Sequence, residues 1–219
     1  MPSYEDLAAL AEQHDATLVA VSKTKPVSAI RALYDRGHRD FGENYVQELV
    51  EKRAELPDDI RWHFIGHLQR NKVKDLVGFV HLVHGVDSLR LLRELDKRAR
   101  AIGRIVDVLL QVHVAEEETK FGFEPHDVIQ LMEADEIHRL AWVRPSGIMG
   151  MTTLTDDRDQ QTREFATLKS LYDEVKERFY ARRPAWNTLS MGMSGDYEAA
   201  LEQGSNCLRI GSLLFGPRE

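Results

Sequence analysis

Two spacings of apolar residues alternate along the chain. Short strand-like runs, most of them apolar, recur at 17–21, 39–41, 62–65, 82–86, 105–114, 142–148, 187–190 and 207–210. Such short runs, rich in β-branched and other apolar residues, predict buried strands. Between them, apolar residues return every three or four positions, the spacing of one helix face, at 27–35, 46–55, 88–101, 125–134 and 159–180. A shorter helix is predicted at 197–203, stopped by Gly204, and an opening one at 4–13 with Ser3 as N-cap.

Eight strands alternating with helices predict parallel βαβ units. Two architectures use such units: a closed (β/α)8 barrel and an open, doubly wound sheet. Barrels usually take about 250 residues but can be as short as ~200, and this chain has 219. No GxGxxG motif follows the first strand. With the strand count, its absence favours a single (β/α)8 TIM barrel over 1–219. Active groups of such barrels sit at the C-terminal strand ends, which directs attention to those positions.

Composition narrows the class. Hydrophobic residues make up 42% and charged residues 30%, ordinary for a globular protein. The net charge of −7 argues against nucleic acid or an anionic membrane as partner. The basic run at 70–74 reads as a solvated helix face. One cysteine, Cys207, allows no intramolecular disulfide and fits a reducing compartment. There is no signal-like N-terminus and no apolar run of membrane-spanning length, so the expectation is a soluble cytoplasmic protein.

The first strand leads into Ser22-Lys23-Thr24-Lys25-Pro26. Val19, Val21 and Lys23 share one face of an alternating strand. A lysine directed into an apolar pocket loses solvation and its pKa falls; the neutral amine can then attack an aldehyde to form a Schiff base. Lys25 has the same parity but lies further into the loop, so Lys23 is preferred, against the plainer reading of two surface lysines. After the second strand, Gly42 allows close ligand approach, and Asn44 reads first as a helix N-cap and second as a ring contact. His63 and His67, near the third strand, have no cysteine or carboxylate at a metal-site spacing; His63 reads as a packed or ring-stacking residue. The sixth strand ends in Ser146-Gly147-Ile148-Met149-Gly150-Met151, whose two glycines and two methionines read as a soft wall or plain core. The seventh strand leads into Ser190-Met191-Gly192-Met193-Ser194-Gly195, and the eighth into Arg209-Ile210-Gly211-Ser212. Glycines and hydroxyls there, with a helix start following the seventh strand, suit a phosphate, and barrels recurrently bind phosphate after strands seven and eight. Arg209 shares a face with Gly211, as a structural ion pair or as a cation facing ligand. A lysine opposite a phosphate site implies a ligand with both carbonyl and phosphate. Pyridoxal 5′-phosphate (PLP) and the substrate of a lysine-type sugar-phosphate aldolase both qualify.

Five stretches carry a resemblance: AVSKTKP (20–26), FGENYVQE (41–48), WHFIGHLQRNK (62–72), LSMGMSGDYEAA (189–200) and RIGSLLFG (209–216), with 117–122 also fitting. Together they resemble the pyridoxal phosphate homeostasis family. The resemblance implies the barrel of the alanine racemase N-terminal domain and PLP as cofactor, held as a Schiff base on Lys23. It implies phosphate contacts from Ser190 and the following Met191, Gly192 and Ser194, and from Gly211 and Ser212. It puts Arg209 near the pyridine nitrogen and Asn44, His63 and Met149 among the pocket neighbours. Two departures are a short lead before the first strand and Ser212 in place of a common threonine, which keeps the hydroxyl.

The resemblance also bears on activity. A guanidinium offers only donors, so Arg209 leaves the ring nitrogen unprotonated and the cofactor a weaker electron sink. Alanine racemase uses an arginine there too, so racemisation stays open. That enzyme adds a C-terminal domain supplying a tyrosine base. Here the sequence ends at Glu219, five residues after Leu214, and no such domain is expected. Tyr45, Tyr172, Tyr180 and Tyr197 fall in no motif that would replace it. The expected function is PLP homeostasis: reversible carriage with little or no catalysis, no metal, PLP-dependent apoenzymes as possible recipients, and a monomer. The alternatives are a PLP-dependent racemase-like enzyme and the aldolase.

Overall fold

The computed structural model describes residues 2–117 and 121–216; residues 118–120 of the stretch noted at 117–122 lie outside them. The element order is α1 (Tyr4–Gln13), β1 (Thr17–Val21), α2 (Val27–Asp35), β2 (Asp40–Glu43), α3 (Val46–Glu55), β3 (Arg61–Phe64), α4 (Val73–Leu76) and β4 (Leu82–Val86). It continues through α5 (Leu89–Ala101), β5 (Val106–His113), α6 (Pro125–Glu133), β6 (Val143–Met151), α7 (Arg158–Phe179), β7 (Thr188–Met193), α8 (Tyr197–Glu202), β8 (Cys207–Ile210) and α9 (Ser212–Phe215). The strands pair in parallel in chain order and β8 closes on β1, with Val19 beside Arg209. This is the expected (β/α)8 barrel.

Local chemistry accounts for the boundaries. Ser3 caps α1 reciprocally: its Oγ accepts from Asp6 N at 3.1 Å and its own N–H donates to Asp6 Oδ2 at 2.8 Å. Ser88 caps α5 and Asp157 caps α7. Two differences from the sequence reading matter below. β6 and β7 run on to Met151 and Met193, three residues past the expected ends of each. A short helix, α9, follows β8 where none is predicted.

The outward strand faces and inward helix faces merge into one core, in which Phe41, Trp62, Phe64, Phe165 and Trp186 are almost wholly buried. Barrel interiors are usually filled by bulky branched residues. Here the apolar filling is a small group, Leu82, Leu109 and Met149. Beside it Asp40, His63, His84, Ser190, Cys207 and Arg209 are buried inside the sheet. Among the described residues no helix is long and apolar enough to cross a membrane.

Candidate functional site

Lys23 is carried by a tight turn at the end of β1. Lys25 N–H donates to Ser22 O at 3.0 Å, and Thr24 holds φ at +64°. A positive φ at the third turn position is the type II pattern, and a β-branched residue rarely adopts it. The surroundings hold it there. Thr24 N–H donates to Glu48 Oε1 at 2.6 Å, Lys52 Nζ to Ser22 O at 2.7 Å, and Ser22 Oγ to Glu43 Oε1 at 2.6 Å. Lys52 also bonds Glu43 at 2.7 Å and Glu48 at 2.5 Å. The turn is thus braced by α3 and β2 through a buried network. Burial pushes the Glu43 carboxyl above its ordinary range, against the opposing pull of Lys52 and Ser22.

The turn opens on a cavity of about 260 Å³ at the C-terminal mouth of the barrel. Lys23 and Lys25 both line it, as do Val21, Asn44, Ile65, Met151, Met193, Ser194, Gly195, Arg209, Gly211, Ser212 and Gly216. Apolar side chains form the walls, and hydroxyls and glycine backbone form the β7–β8 side. Ser194 Oγ accepts from Gly211 N–H at 3.3 Å and ties those two strand ends together.

Arg209 is 4% exposed. Its Nη1 donates to Ser190 Oγ at 2.6 Å and its Nη2 to Gly150 O at 2.8 Å. Burial lowers its pKa, although guanidinium remains a cation in proteins. Neither bond goes to a carboxylate; the guanidinium lines the cavity, and the Asp196 carboxylate acts on it through space. Asn44 Oδ1 is buried and has no hydrogen-bond partner among them. A buried orphan of this kind calls for a donor, and the cavity is where one can arrive. Asn44 does not cap α3; Tyr45 takes that position without a side-chain bond. Asn44 owes its place to Gly66: a Cβ at Gly66 would stand 2.2 Å from Asn44 O.

Of the residues singled out in the sequence, Lys23, Asn44, Ser194, Arg209, Gly211 and Ser212 come together here. His63, Met149, Ser190, Met191 and Gly192 do not line the cavity. Ser190 lies beneath Arg209, three residues below the end of β7, and strands rise about 3.3 Å per residue. Met191 packs in the core outside the sheet, and Gly192, with φ +93°, backs onto Ala200 of α8. Met149 fills the barrel interior and His63 pairs with Asp40 and His84. The wall is formed by Ile65, Met193 and Met151, the second methionine of the soft wall read at the end of the sixth strand. Ile65 and Met151 have the parity of His63 and Met149, one step up their strands.

With that geometry in view, the family's signature can be placed. The sequence model for the alanine racemase N-terminal domain matches residues 3–219. A pyridoxal phosphate homeostasis protein of Aquifex aeolicus is 42% identical over 205 residues, covering 93% of this chain and 88% of the relative. The chain belongs to the pyridoxal phosphate homeostasis protein family. Among solved structures of this family's fold, PipY of Synechococcus elongatus without PLP superposes with a TM-score of 0.88 at 36% identity, covering 97% of this chain and 99% of PipY. PipY with PLP bound gives 0.85 at 34% identity and the same coverages. Alanine racemase of Clostridium difficile shares the fold, with a TM-score of 0.72 at 15% identity over 96% of this chain and 55% of the racemase.

Proposed function

We propose that this protein binds PLP reversibly and serves in PLP homeostasis as a carrier, with little or no catalysis of its own. The observation that carries the reading is a single cavity holding two lysines, a buried arginine whose hydrogen bonds go to no carboxylate, and paired hydroxyl–glycine strand ends. PLP-bound PipY, a family relative, supports it.

The residues fit the group. Lys23 would hold the aldehyde carbon of the group through its Nζ, as a Schiff base. Ser194, Gly195 and Ser212 would offer donors for the phosphate, and Gly211, whose N–H donates to Ser194 Oγ, would let the group approach the backbone closely. Asn44 Oδ1 takes a donor from the ligand. Arg209 would offer donors to the ring nitrogen and, as a guanidinium, would add no proton to it. When bound and protonated at that nitrogen, PLP acts as an electron sink; Arg209 would keep the nitrogen an acceptor and so would disfavour carbanion chemistry.

Catalysis at the α-carbon of an amino acid also needs an acid or base on the far side. Among the described lining residues the ionisable groups are Lys23, Lys25 and Arg209, and both lysines come from one loop. Tyr172 and Tyr180 stack on Trp186, and Tyr45 is 60% exposed and outside the lining. This supports carriage over racemisation. The closed barrel buries its sheet without a partner, which supports a monomer, and apoenzymes that use PLP are the recipients the reading suggests.

Borohydride reduction of the PLP-treated protein, followed by peptide mass measurement, tests the assignment. A pyridoxyl adduct on Lys23 is expected, with no turnover across a panel of chiral amino acids. An adduct at another lysine, or a sugar adduct from a phosphosugar mixture, overturns it; racemisation well above free PLP overturns the carrier role.

A further inference from the structure

A line of hydrogen bonds crosses the barrel interior from the ligand cavity to the opposite mouth. Arg209 Nη1 lies 2.6 Å from Ser190 Oγ, Ser190 Oγ 3.0 Å from His84 Nδ1, His84 Nε2 2.9 Å from His63 Nδ1, and His63 Nε2 3.1 Å from Asp40 Oδ1. The links come from β8, β7, β4, β3 and β2, so the line passes through the lumen and does not follow one strand. Its far end reaches a separate polar cavity of about 470 Å³ at the N-terminal mouth, lined by Asp40, Arg61, His63 and His81 among others.

Arginine only donates and an ionised carboxylate only accepts. With both rings neutral, the carboxylate end sets one direction for the whole line. His63 then carries its single proton on Nε2 and donates to Asp40, His84 carries its proton on Nε2 and donates to His63 Nδ1, and Ser190 Oγ accepts from Arg209 and donates to His84 Nδ1. Cys207 offers no competing base, because burial pushes its thiol up to about 11. The groups around His84 agree with a neutral ring: burial first, then His63, Arg209 and His81, lower its affinity for a proton. Asp40 is kept ionised despite burial by Arg61 and His63.

We infer that Ser190, His84, His63 and Asp40 are positioning residues for Arg209, forming a one-way relay that orients the guanidinium toward the cavity. The relay deepens the PLP reading and, for its effect on a bound ligand, rests on it. It gives the histidines of the third and fourth strands a role that neither packing nor metal binding provides. It also makes the donors facing the ligand depend on groups at the other mouth. Any link that loses its direction leaves Arg209 with a second orientation.

The test has two readouts on the full chain. Nitrogen-15 NMR of histidine-labelled protein without ligand reports tautomers directly. His84 and His63 are expected as Nε2-protonated neutral rings at pH 7–8; a proton on Nδ1 of either, or a doubly protonated His84, overturns the relay. PLP titration followed by absorbance is the second readout. Ser190→Ala is expected to weaken binding about tenfold, the scale of one hydrogen bond to a charged group, and to shift the bound spectrum; Ser190→Thr restores both. Asp40→Asn, distant from the cavity, is expected to shift the spectrum in the same direction with a smaller loss of affinity. Unchanged affinity and spectrum in Ser190→Ala overturns the inference. If wild type binds no PLP while both tautomers are as given, the PLP reading fails and the relay stands.

Discussion

Lys23 stands at the cavity because the side chains of Lys52, Glu43 and Glu48 brace its turn. Lys52, buried on α3, holds Ser22 O and Glu43 together, and Glu48 holds the strained Thr24 N–H. Removing one partner of a buried ion pair leaves the other uncompensated and costs about 3–5 kcal/mol. Lys52→Met is therefore expected to lower stability by about that amount in chemical denaturation. Adding Glu43→Gln to it recovers a large part, a non-additivity that a double-mutant cycle measures. Two equal and additive losses would contradict a shared network. Gly66 is the second such residue. Gly66→Ala drives a methyl against the Asn44 backbone, so PLP affinity is expected to fall by tenfold or more while the fold persists by circular dichroism; unchanged affinity would remove Asn44 from the site.

At the scale of elements, the period of the apolar pattern made the barrel legible, because strand and helix spacing differ and both are local. The site was legible where chemistry lies in the loop itself: Lys23, Ser194, Gly211 and Ser212 follow their strands directly. It was not legible where it depended on how far a strand runs. β6 and β7 continue through Met151 and Met193, whose small and flexible residues do not read as strand, so Met149 and Ser190 sink into the barrel. The relay escaped notice for another reason: its members lie 19 to 106 residues apart in the chain, and each looks like packing until the lumen brings them together. β6 carries a further local demand. Gly147 has φ +154° and a Cβ there would lie 1.7 Å from Thr188 O, where the ladder to β5 shifts register between Val108 and Leu109. Gly147→Ala combines backbone strain with overpacking, about 1–3 kcal/mol each. It is expected to lower the denaturation midpoint more than Gly78→Ala, which meets open space; equal midpoints would contradict that packing.

For the whole molecule, burial of histidines sets the response to acid. Burial holds His84 well below 6.5, and also lowers His81 and His38. A depressed folded pKa gives stability that is full above the unfolded value of 6.5 and is lost as pH falls below it. Each pH unit below that value removes about 1.4 kcal/mol for every histidine that stays neutral. Glu43 works in the opposite sense, since its raised pKa favours the fold as pH falls. Three histidines against one carboxyl predict a urea midpoint that declines from pH 7 to pH 5; a flat or rising midpoint would contradict the buried, neutral rings. The same interior supports the cavity, where a lysine on a braced turn faces a buried cation. Lys23 is the centre of the functional reading, and titration with PLP followed by absorbance tests it most directly. Wild type and Lys25→Ala should both develop a band distinct from that of free PLP, and Lys23→Ala should not. A wild type without that band, or a Lys23→Ala protein that keeps it, would contradict the claim that Lys23 holds PLP.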